Sequence, residues 1–292
     1  MCMVAVRGLL IAACRMDISV IVTTYNWPGA LNLSLSSLAR QTMLPVDVVI
    51  ADDGSTAPTA ELIGQWRKRF PCTLTHYWQE DAGFRVARAR NGAIAAARGD
   101  YVIFVDGDMV VHPRFIEDHC AAARRDCFIQ GVRPRLSANA TQALLASNST
   151  AVSFLSPGME HRAYALRSVL LSRIVSQARA TLAGVQSCNL SCWRDYLVQI
   201  NGFDERFVGW GPEDRELAAR LLHIGVQRNY VRHRAVAYHL YHPSRAPEGR
   251  NPLDRILEET LRTRATRCEF GLNLHLDPAS LAQPVEPRVA VV

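Results

Sequence analysis

The sequence predicts an α/β protein whose central sheet is mostly parallel and flanked by helices. Two patterns in the first half support this fold class: strand-like and helix-like segments alternate, and each strand-like segment is a continuous apolar run. Such runs are typical of strands that are covered on both faces, as in parallel sheets. The chain has 292 residues, of which 49% are hydrophobic and 21% charged, so it can bury a sizeable core.

The elements of the first half are predicted from these runs and from local signals. Strands are predicted at residues 18–24, 46–51, 73–78 and 101–105. Helices are predicted between them at residues 28–40, 58–70 and 86–98. The third helix is alanine-rich, which favours helix formation, and Gly99 follows it as a C-terminal signal.

The second half of the chain has a weaker pattern. Residues 136–183 are small, polar and helical stretches with a break at Ser156-Pro157-Gly158. Further strands are predicted at residues 185–190, 226–230 and 235–240, and helices at residues 213–223 and 253–268. The last helix is arginine-rich and amphipathic, and a poorly patterned tail follows it.

Composition argues against several classes of protein. The formal charge is +6, but no basic run is interleaved with aromatic residues, so no nucleic-acid partner is expected. The eight cysteines include no Cys-x-x-Cys pair, which argues against a zinc site. No apolar stretch approaches the roughly 20 residues that a membrane-spanning helix needs.

Polar clusters stand at the ends of three predicted strands. Asp106-Gly107-Asp108 follows the strand at 101–105, and residues 23–26 and 52–55 follow the first two strands. Ligands of open α/β sheets bind beyond the carboxyl ends of the strands, so these clusters are candidate ligand contacts. Residues two apart in an extended segment point to the same side, so both aspartates can face one metal-bound nucleotide. In isolation, this tripeptide would more often be a solvated turn.

The motifs of two competing nucleotide-binding folds are missing from the sequence. No G-x-G-x-x-G follows the first strand, and no G-x-x-x-x-G-K-[ST] occurs anywhere. The strand-end clusters and two further motifs instead resemble family 2 glycosyltransferases, whose nucleotide-sugar-binding fold is named GT-A. The further motifs are Asp81-Ala82-Gly83-Phe84 and Ala89-Arg90-Asn91-Gly92.

A second resemblance lies in the second half. Gly202-Phe203-Asp204 and the following Gly209-Trp210-Gly211-Pro212-Glu213-Asp214 resemble the acceptor-side signature of β-1,4-galactosyltransferases and bacterial chondroitin-polymerase-type enzymes. Together the two resemblances cover roughly residues 17–242. They imply a GT-A domain at 16–242, with a nucleotide-sugar half at 16–135 and an acceptor half at 136–242. Residues 1–15 are then a non-native or disordered extension, and residues 243–292 a C-terminal helix and tail.

The resemblance implies a divalent cation, Mn²⁺ or Mg²⁺. Asp108 is then the direct ligand, and Asp106 binds the ribose, a metal-bound water or the metal itself. His239 and His242 can complete the coordination sphere, since mixed oxygen and nitrogen ligation suits Mn²⁺ as well as Mg²⁺. Galactosyltransferases have Met-x-x-His here, so this chain departs at the first position, and a Tyr-His pair of comparable bacterial enzymes matches His239 better. A structural role is the alternative for each histidine.

The resemblance also assigns residues to the nucleotide-sugar. Thr23, Tyr25, Asp52, Arg90 and Asp106 are the implied contacts. Asp52 is expected to accept a hydrogen bond from the uracil imide, Tyr25 to pack on the base, and Arg90 to reach the diphosphate. Arg90 can instead be one more arginine on a helix surface.

The acceptor side is assigned to the start of the helix at 213–223. Pro212 suits the first helical position, and the helix dipole favours ionised carboxylates in the first turn, so Glu213 and Asp214 are both expected to be charged at neutral pH. By resemblance, Asp214 is the general base and Glu213 orients the acceptor. Trp210, between two glycines, is expected to be an exposed platform for a sugar ring. The alternatives are helix capping for the acids and core packing for Trp210.

These assignments imply a metal-dependent, inverting glycosyltransferase that moves a hexose or N-acetylhexosamine from a UDP-sugar to a glycan hydroxyl. The expected acceptor is a glycan or lipid-linked glycan in cell-surface polysaccharide or lipopolysaccharide synthesis. The expected location is cytoplasmic and peripheral to the inner face of the plasma membrane, with the helix at 253–268 on anionic lipid.

Other functions remain open at this point. One is a non-catalytic nucleotide-sugar-binding protein on the same scaffold. A sugar nucleotidylyltransferase is disfavoured, because its Gly-rich first loop is absent from residues 23–28. The Asn-x-Ser/Thr sites at Asn32, Asn139, Asn148 and Asn189 would suit a Golgi enzyme.

Overall fold

The computed structural model describes residues 16–243, 249 and 251–277. The extension expected at residues 1–15 lies outside this range. The strands of the described part are β1 (Ile18–Thr24), β2 (Asp47–Asp52), β3 (Thr73–Trp78), β4 (Tyr101–Asp106), β5 (Met109–Val111), β6 (Cys127–Gln130), β7 (Arg135–Leu136), β8 (Met159–Glu160), β9 (Gln177–Arg179), β10 (Asn189–Trp193), β11 (Gln227–Tyr230) and β12 (Ala237–His239).

The helices lie mostly between these strands. They are α1 (Pro28–Leu38), α2 (Ala57–Arg67), α3 (Val86–Ala96), α4 (Phe115–Ala122), α5 (Ala138–Ser147), α6 (Val169–Val175), α7 (Arg194–Gln199), α8 (Glu213–His223) and α9 (Asp254–Thr263). Short 3₁₀ helices lie at Arg162–Ala165 and Leu272–Leu274.

The large sheet has eight strands in the order β3-β2-β1-β4-β10-β6-β11-β9. The four strands predicted in the first half pair in parallel, with β1 between β2 and β4. β1 and β3 have the predicted bounds, and those of β2 and β4 differ by one residue. The predicted α/β class with a mostly parallel sheet is therefore confirmed.

Helices cover both faces of this sheet, which explains the continuous apolar runs. On β1, Val20 and Val22 pack into a core cluster with side chains of α1 and α2. Ile21, between them in sequence, packs on the other face with side chains of α3 and α8. All three are fully buried. Alternate residues thus enter different cores, as the pleat of a strand requires.

The second half of the chain completes the same sheet. β10 pairs antiparallel with β4 and with β6, and β11 then pairs in parallel with β6. The carboxyl ends of β4, β6 and β11 therefore lie at one edge of the sheet. The nucleotide-sugar half and the acceptor half proposed from the sequence share this sheet.

A small second sheet has the order β5-β12-β7-β8. β5 begins at Met109, directly after the two aspartates that follow β4. β12 pairs antiparallel with β5, so that His239 lies opposite Met109. The sequence did not predict β5 or this sheet, although β12 lies within the strand predicted at 235–240.

Two predicted elements differ in position. The strand predicted at residues 185–190 begins only at Asn189 and runs to Trp193, because the residues before it form a loop. The last helix, α9, ends at Thr263, where Arg264 has a left-handed φ of 54°. Ile256 and Leu257 of α9 are buried. Among the described residues, no helix combines the length and apolar character that crossing a bilayer requires.

Candidate active site

The two central aspartates lie where the chain passes from the large sheet to the small one. Asp106 ends β4, and Asp108 directly precedes β5. Gly107 between them donates its N–H to the carbonyl of Thr23 over 2.7 Å, and a Cβ at Gly107 would lie 2.7 Å from the same oxygen. The glycine thus permits close approach to β1.

Asp108, His239 and His242 form one cluster with potential metal ligand atoms within 4.8 Å of one another. The Nε2 atoms of His239 and His242 lie 3.6 and 3.3 Å from Asp108 Oδ2. The pairing of β12 with β5 brings the histidines here. Asp108 Oδ1 is buried and has no hydrogen-bond partner among the residues that the structure describes.

The protonation states of this cluster suit cation binding. Burial raises the pKa of Asp108, but the hydrogen bond from His242 and the basic groups of the two histidines and Arg133 outweigh this, so its pKa is lowered overall. Burial lowers the pKa of His239 to about 4, so its ring is neutral at neutral pH, the form that binds metals. An ionised carboxylate with an unpartnered oxygen and nearby imidazoles fits a hard or borderline divalent cation.

Asp106 lies outside this three-residue cluster. Its Oδ1 accepts a hydrogen bond from Thr23 Oγ1 over 2.6 Å and one from Arg90 Nη2 over 3.3 Å. Burial and repulsion from Asp108 raise the pKa of Asp106, whereas Arg90 lowers it. The net effect is a raised pKa. Direct metal ligation by Asp106 and its contact with ribose remain predictions. Because Oδ1 already accepts two hydrogen bonds, Oδ2 is the oxygen with more room for such a contact.

Arg90 is the central cation of the site. Its side chain is only 4% exposed, so the alternative of a surface arginine on α3 is wrong. Nη1 lies 3.4 Å from Glu213 Oε1 and 3.2 Å from Asp214 Oδ1, while Nη2 reaches Asp106. The guanidinium therefore joins the carboxylate at the end of β4 to both acidic side chains at the start of α8. Its expected contact with the diphosphate stays a prediction.

The start of α8 carries the two acidic residues as predicted. Pro212 precedes the helix, and Glu213 and Asp214 lie in its first turn. Burial, and then repulsion from Asp214, raises the pKa of Glu213 to about 8, although Arg90 opposes this. The expectation that Glu213 is charged at neutral pH is therefore wrong, because burial and Asp214 together outweigh Arg90 and the backbone hydrogen bond.

Two residues that sequence reasoning missed contribute to the site. Ser187 is fully buried in the loop before β10, and its hydroxyl donates to Asp214 Oδ1. Arg133 lies near enough to Asp108 and His239 to lower the pKa of both groups. Neither residue stands in a recognisable motif. Residues 185–190 were predicted as a strand, so the loop that positions Ser187 was not expected.

The predicted base-binding residues lie at the ends of β1 and β2. Tyr25 is partly exposed and its hydroxyl donates to Asp81 Oδ2 over 2.9 Å. Asp52 is fully buried, with Oδ2 2.8 Å from His76 Nε2 and Oδ1 accepting from the Ser55 N–H. Both oxygens of Asp52 thus already have partners within the protein, although each can accept a further hydrogen bond. The expected contact with the uracil imide stays a prediction.

Trp210 is 49% exposed, so the alternative of core packing is wrong. Its carbonyl accepts a hydrogen bond from Asn251, which fixes the loop before α8. Gly211 follows, and a Cβ there would lie 2.8 Å from the Phe207 ring. The indole is thus held at the surface near the start of α8, where a sugar ring could stack on it.

Two family models match the chain. The model described as "Glycosyl transferase family 2" matches residues 19–179, and the model described as "N-terminal domain of galactosyltransferase" matches residues 172–243. The first range contains Asp106 and Asp108, and the second contains Ser187, Asp214 and His239.

Curated relatives match over most of this chain. Validoxylamine A glucosyltransferase of Streptomyces hygroscopicus subsp. limoneus is 29% identical over 72% of this chain and 48% of its own length. Hyaluronan synthase of Pasteurella multocida is 26% identical over 72% of this chain and 23% of its own length. Chondroitin synthase of Escherichia coli is 24% identical over 83% and 38%. The chain thus spans about half or less of these relatives.

Solved structures share the fold. S. aureus TarS 1-349 in complex with UDP-GlcNAc aligns with a TM-score of 0.60 at 17% identity, covering 89% of this chain and 69% of that chain. The mannosyltransferase PcManGT from Pyrobaculum calidifontis in complex with GDP-Man and Mn²⁺ aligns with a TM-score of 0.54 at 17% identity, covering 87% and 62%.

Proposed function

Because this chain belongs to glycosyl transferase family 2, we propose that it is a metal-dependent, inverting glycosyltransferase that moves a hexose or N-acetylhexosamine from a UDP-sugar to a glycan hydroxyl. The observation that carries this proposal is the convergence at Arg90. The guanidinium contacts Asp106 at the end of β4 and both acidic residues at the start of α8. A donor bound beyond β4 and an acceptor bound at α8 would then meet.

Asp108, His239 and His242 are the residues that would hold a divalent cation. The unpartnered, buried Oδ1 of Asp108 and the neutral ring of His239 support this assignment. A bound Mn²⁺ or Mg²⁺ would neutralise charge on the diphosphate leaving group. One structural neighbour, the mannosyltransferase PcManGT, is described as a complex with GDP-Man and Mn²⁺.

Asp214 is the proposed general base. Its Oδ1 accepts hydrogen bonds from Ser187 and Arg90, which leaves Oδ2 to take the proton of the acceptor hydroxyl. The acceptor oxygen then forms a bond to the anomeric carbon of the sugar. The bond from that carbon to the diphosphate oxygen breaks at the same time, and UDP keeps the electron pair. One base and one displacement invert the anomeric centre.

Glu213 has a different proposed role from its neighbour. With a pKa of about 8, its carboxyl group is mostly protonated at neutral pH, so it can donate a hydrogen bond as well as accept one. Two adjacent acids whose surroundings separate their pKa values can divide the work of base and acceptor-binding group. We assign proton abstraction to Asp214 and acceptor orientation to Glu213 and Trp210.

Chemistry and the names of relatives support the proposed substrates. Curated relatives are named as a glucosyltransferase, a hyaluronan synthase and a chondroitin synthase, and one structural neighbour was solved with UDP-GlcNAc. These names support a UDP-hexose or UDP-N-acetylhexosamine donor and a glycan acceptor. Synthesis of a cell-surface polysaccharide or lipopolysaccharide at the cytoplasmic face of the plasma membrane is the proposed setting.

The test is release of UDP from UDP-glucose, UDP-galactose and their N-acetylated forms, with and without Mn²⁺. We expect one donor to be turned over in the presence of Mn²⁺, and Asp214→Asn to lower the rate by about 10²- to 10⁴-fold. Asp126→Asn, which changes an exposed aspartate far from α8 in sequence, is the matched control and should keep full activity.

Three results would contradict the proposal. Full activity in the presence of a chelator would show that the enzyme needs no metal. Full activity of Asp214→Asn would show that Asp214 is not the general base. Binding of a UDP-sugar by the wild type without turnover of any donor would instead favour a non-catalytic nucleotide-sugar-binding protein.

A further inference from the structure

Helix α6 presents an apolar face that the described part of the protein does not cover. Leu170 is 70% exposed and Ile174 is 66% exposed, and Leu171 is also exposed. Leu170 and Ile174 are four residues apart, so they lie on one face of the helix. Monomeric proteins rarely expose contiguous apolar groups of this kind unless a partner or a membrane covers them.

The segment around this face is strongly basic. No acidic residue stands between Glu160 and Asp195, whereas arginines occur at 162, 167, 173, 179 and 194. Arg173 and Arg179 are exposed, and so is Arg232, whose backbone N–H donates to Ser176 Oγ directly after α6. None of these three arginines forms an ion pair with a carboxylate in the residues described.

The apolar face of α6 lies at the same edge of the large sheet as the catalytic carboxylates. α6 leads into β9, and the first residue of β9, Gln177, pairs with Tyr230 at the carboxyl end of β11. The carboxyl ends of β11 and β4 share this edge. Four strand spacings separate β9 from β4, so the helix lies about 20 Å from Asp106 across the sheet.

The helix expected to contact lipid from the sequence does not have such a face. Ile256 and Leu257 of α9 are buried, and the hydroxyl of Thr260 donates to Glu216 on α8. Most of the apolar side of α9 is therefore covered by protein. On α9, Leu261 is the one large apolar side chain that is exposed, at 42%, whereas α6 exposes Leu170, Leu171 and Ile174 together.

We propose that the α6 surface, defined as Leu170, Leu171 and Ile174 with Arg173, Arg179 and Arg232, docks on an anionic lipid membrane. Leucine and isoleucine would enter the interface between headgroups and acyl chains, and the arginines would lie against the negative headgroups. Charge complementarity favours this occupant, since the segment has no acidic residue to repel an anionic surface. Docking at this edge would turn the catalytic carboxylates towards the membrane.

The test is co-sedimentation of the full chain with vesicles of phosphatidylcholine, alone or mixed with phosphatidylglycerol. We expect binding to the anionic vesicles only, weakened by added salt, because salt screens exposed charges. Arg173→Gln/Arg179→Gln should weaken binding by about fivefold per arginine. Leu170→Ser/Ile174→Ser should reduce it to the level of phosphatidylcholine alone. Thermal melting checks that each variant is folded, as expected for exposed substitutions.

The matched control removes the same charge elsewhere. Arg67→Gln/Lys68→Gln at the end of α2 also lowers the formal net charge by two, from +6 to +4, and should leave vesicle binding unchanged. Equal weakening by both pairs would show a non-specific charge effect and overturn the proposal. Absence of wild-type binding would also overturn it. So would a dimer that Leu170→Ser/Ile174→Ser converts to a monomer, since a second copy would then cover α6. None of these readouts depends on sugar transfer.

Discussion

At the scale of single residues, substitution of Ser187 tests how the proposed base, Asp214, is positioned. Its hydroxyl and Arg90 both donate to Asp214 Oδ1. We expect Ser187→Ala to lower kcat by about tenfold or more with little change in the KM for donor, because hydrogen bonds to charged groups contribute about 1.5–3 kcal/mol. Steady-state kinetics measure this. Ser191→Ala, whose hydroxyl contacts Tyr101 and His119 instead, should keep kcat, and equal losses in both variants would contradict the role.

Asp108 provides a test of cation binding that does not require turnover. Mn²⁺ should raise the melting temperature of the wild type, since a ligand at 100 times its Kd adds about 2.7 kcal/mol of stability. Asp108→Asn and His242→Ala should lose most of this shift, because each removes a member of the three-residue cluster. Asp126→Asn is the control and should keep it. An undiminished Mn²⁺ shift in Asp108→Asn would place the cation elsewhere.

Glu213 should make stability depend on pH. Its pKa is about 8 in the folded protein against an ordinary value of 4.5, so the folded state holds this proton more tightly. The resulting stabilisation is complete below pH 4.5 and is lost as the pH rises to about 8. Over this window, we expect the melting temperature of Glu213→Gln to rise relative to wild type, by the equivalent of a few kcal/mol. Parallel curves for the two proteins would contradict this, and the exposed Glu61→Gln serves as control.

The sequence could predict which residues form the site only where those residues stand in a recognisable motif. Asp106, Glu213 and Asp214 meet at Arg90, and Asp108 meets both predicted histidines. The protonation of Glu213 could not be foreseen, because it depends on burial by distant residues. Ser187 gave no signal, since a serine in an apolar segment is uninformative until its loop is known.

At the scale of elements, a buried ion pair within α8 is also hydrogen-bonded to α9. Glu216 and Arg220 on α8 are almost fully buried, and Thr260 of α9 donates to Glu216. Glu216→Gln would leave Arg220 as an uncompensated buried charge, so we expect a loss of about 3–5 kcal/mol in the free energy of unfolding. Urea unfolding measures it. The exposed pair of Arg114 and Glu117 is the comparison, and Glu117→Gln should cost about 1 kcal/mol or less.

The elements that the sequence predicted well are the long ones. Apolar runs gave β1 to β4, because strands covered on both faces leave a strong local signal. Strands of two to four residues such as β5, β6 and β9 were missed, since their length is set by pairing with distant segments. Three of the four strands of the small sheet, β5, β7 and β8, were missed in this way, so the pairing that places His239 on β12 was not predictable.

At the scale of the whole molecule, Gly107 lies at the junction of the two sheets. A Cβ there would lie 2.7 Å from the Thr23 carbonyl oxygen, so β4 would have to move away from β1. We expect Gly107→Ala to lower the free energy of unfolding by about 1–3 kcal/mol and to impair Mn²⁺ binding as well. Urea unfolding and the Mn²⁺ thermal shift test this. Gly64→Ala, with open space around its Cβ position, should do neither; wild-type behaviour of Gly107→Ala would show that the junction tolerates movement.

The contacts of Arg90 have a consequence for recombination between related enzymes. One inaccessible cation from α3 balances acids supplied by two segments more than a hundred residues apart. Grafting a foreign segment in place of α8 that lacks either acid would leave the positive charge of Arg90 buried without its partners. Chimeric enzymes made from this chain must therefore exchange α3 and α8 as a unit, even where only a new acceptor is wanted.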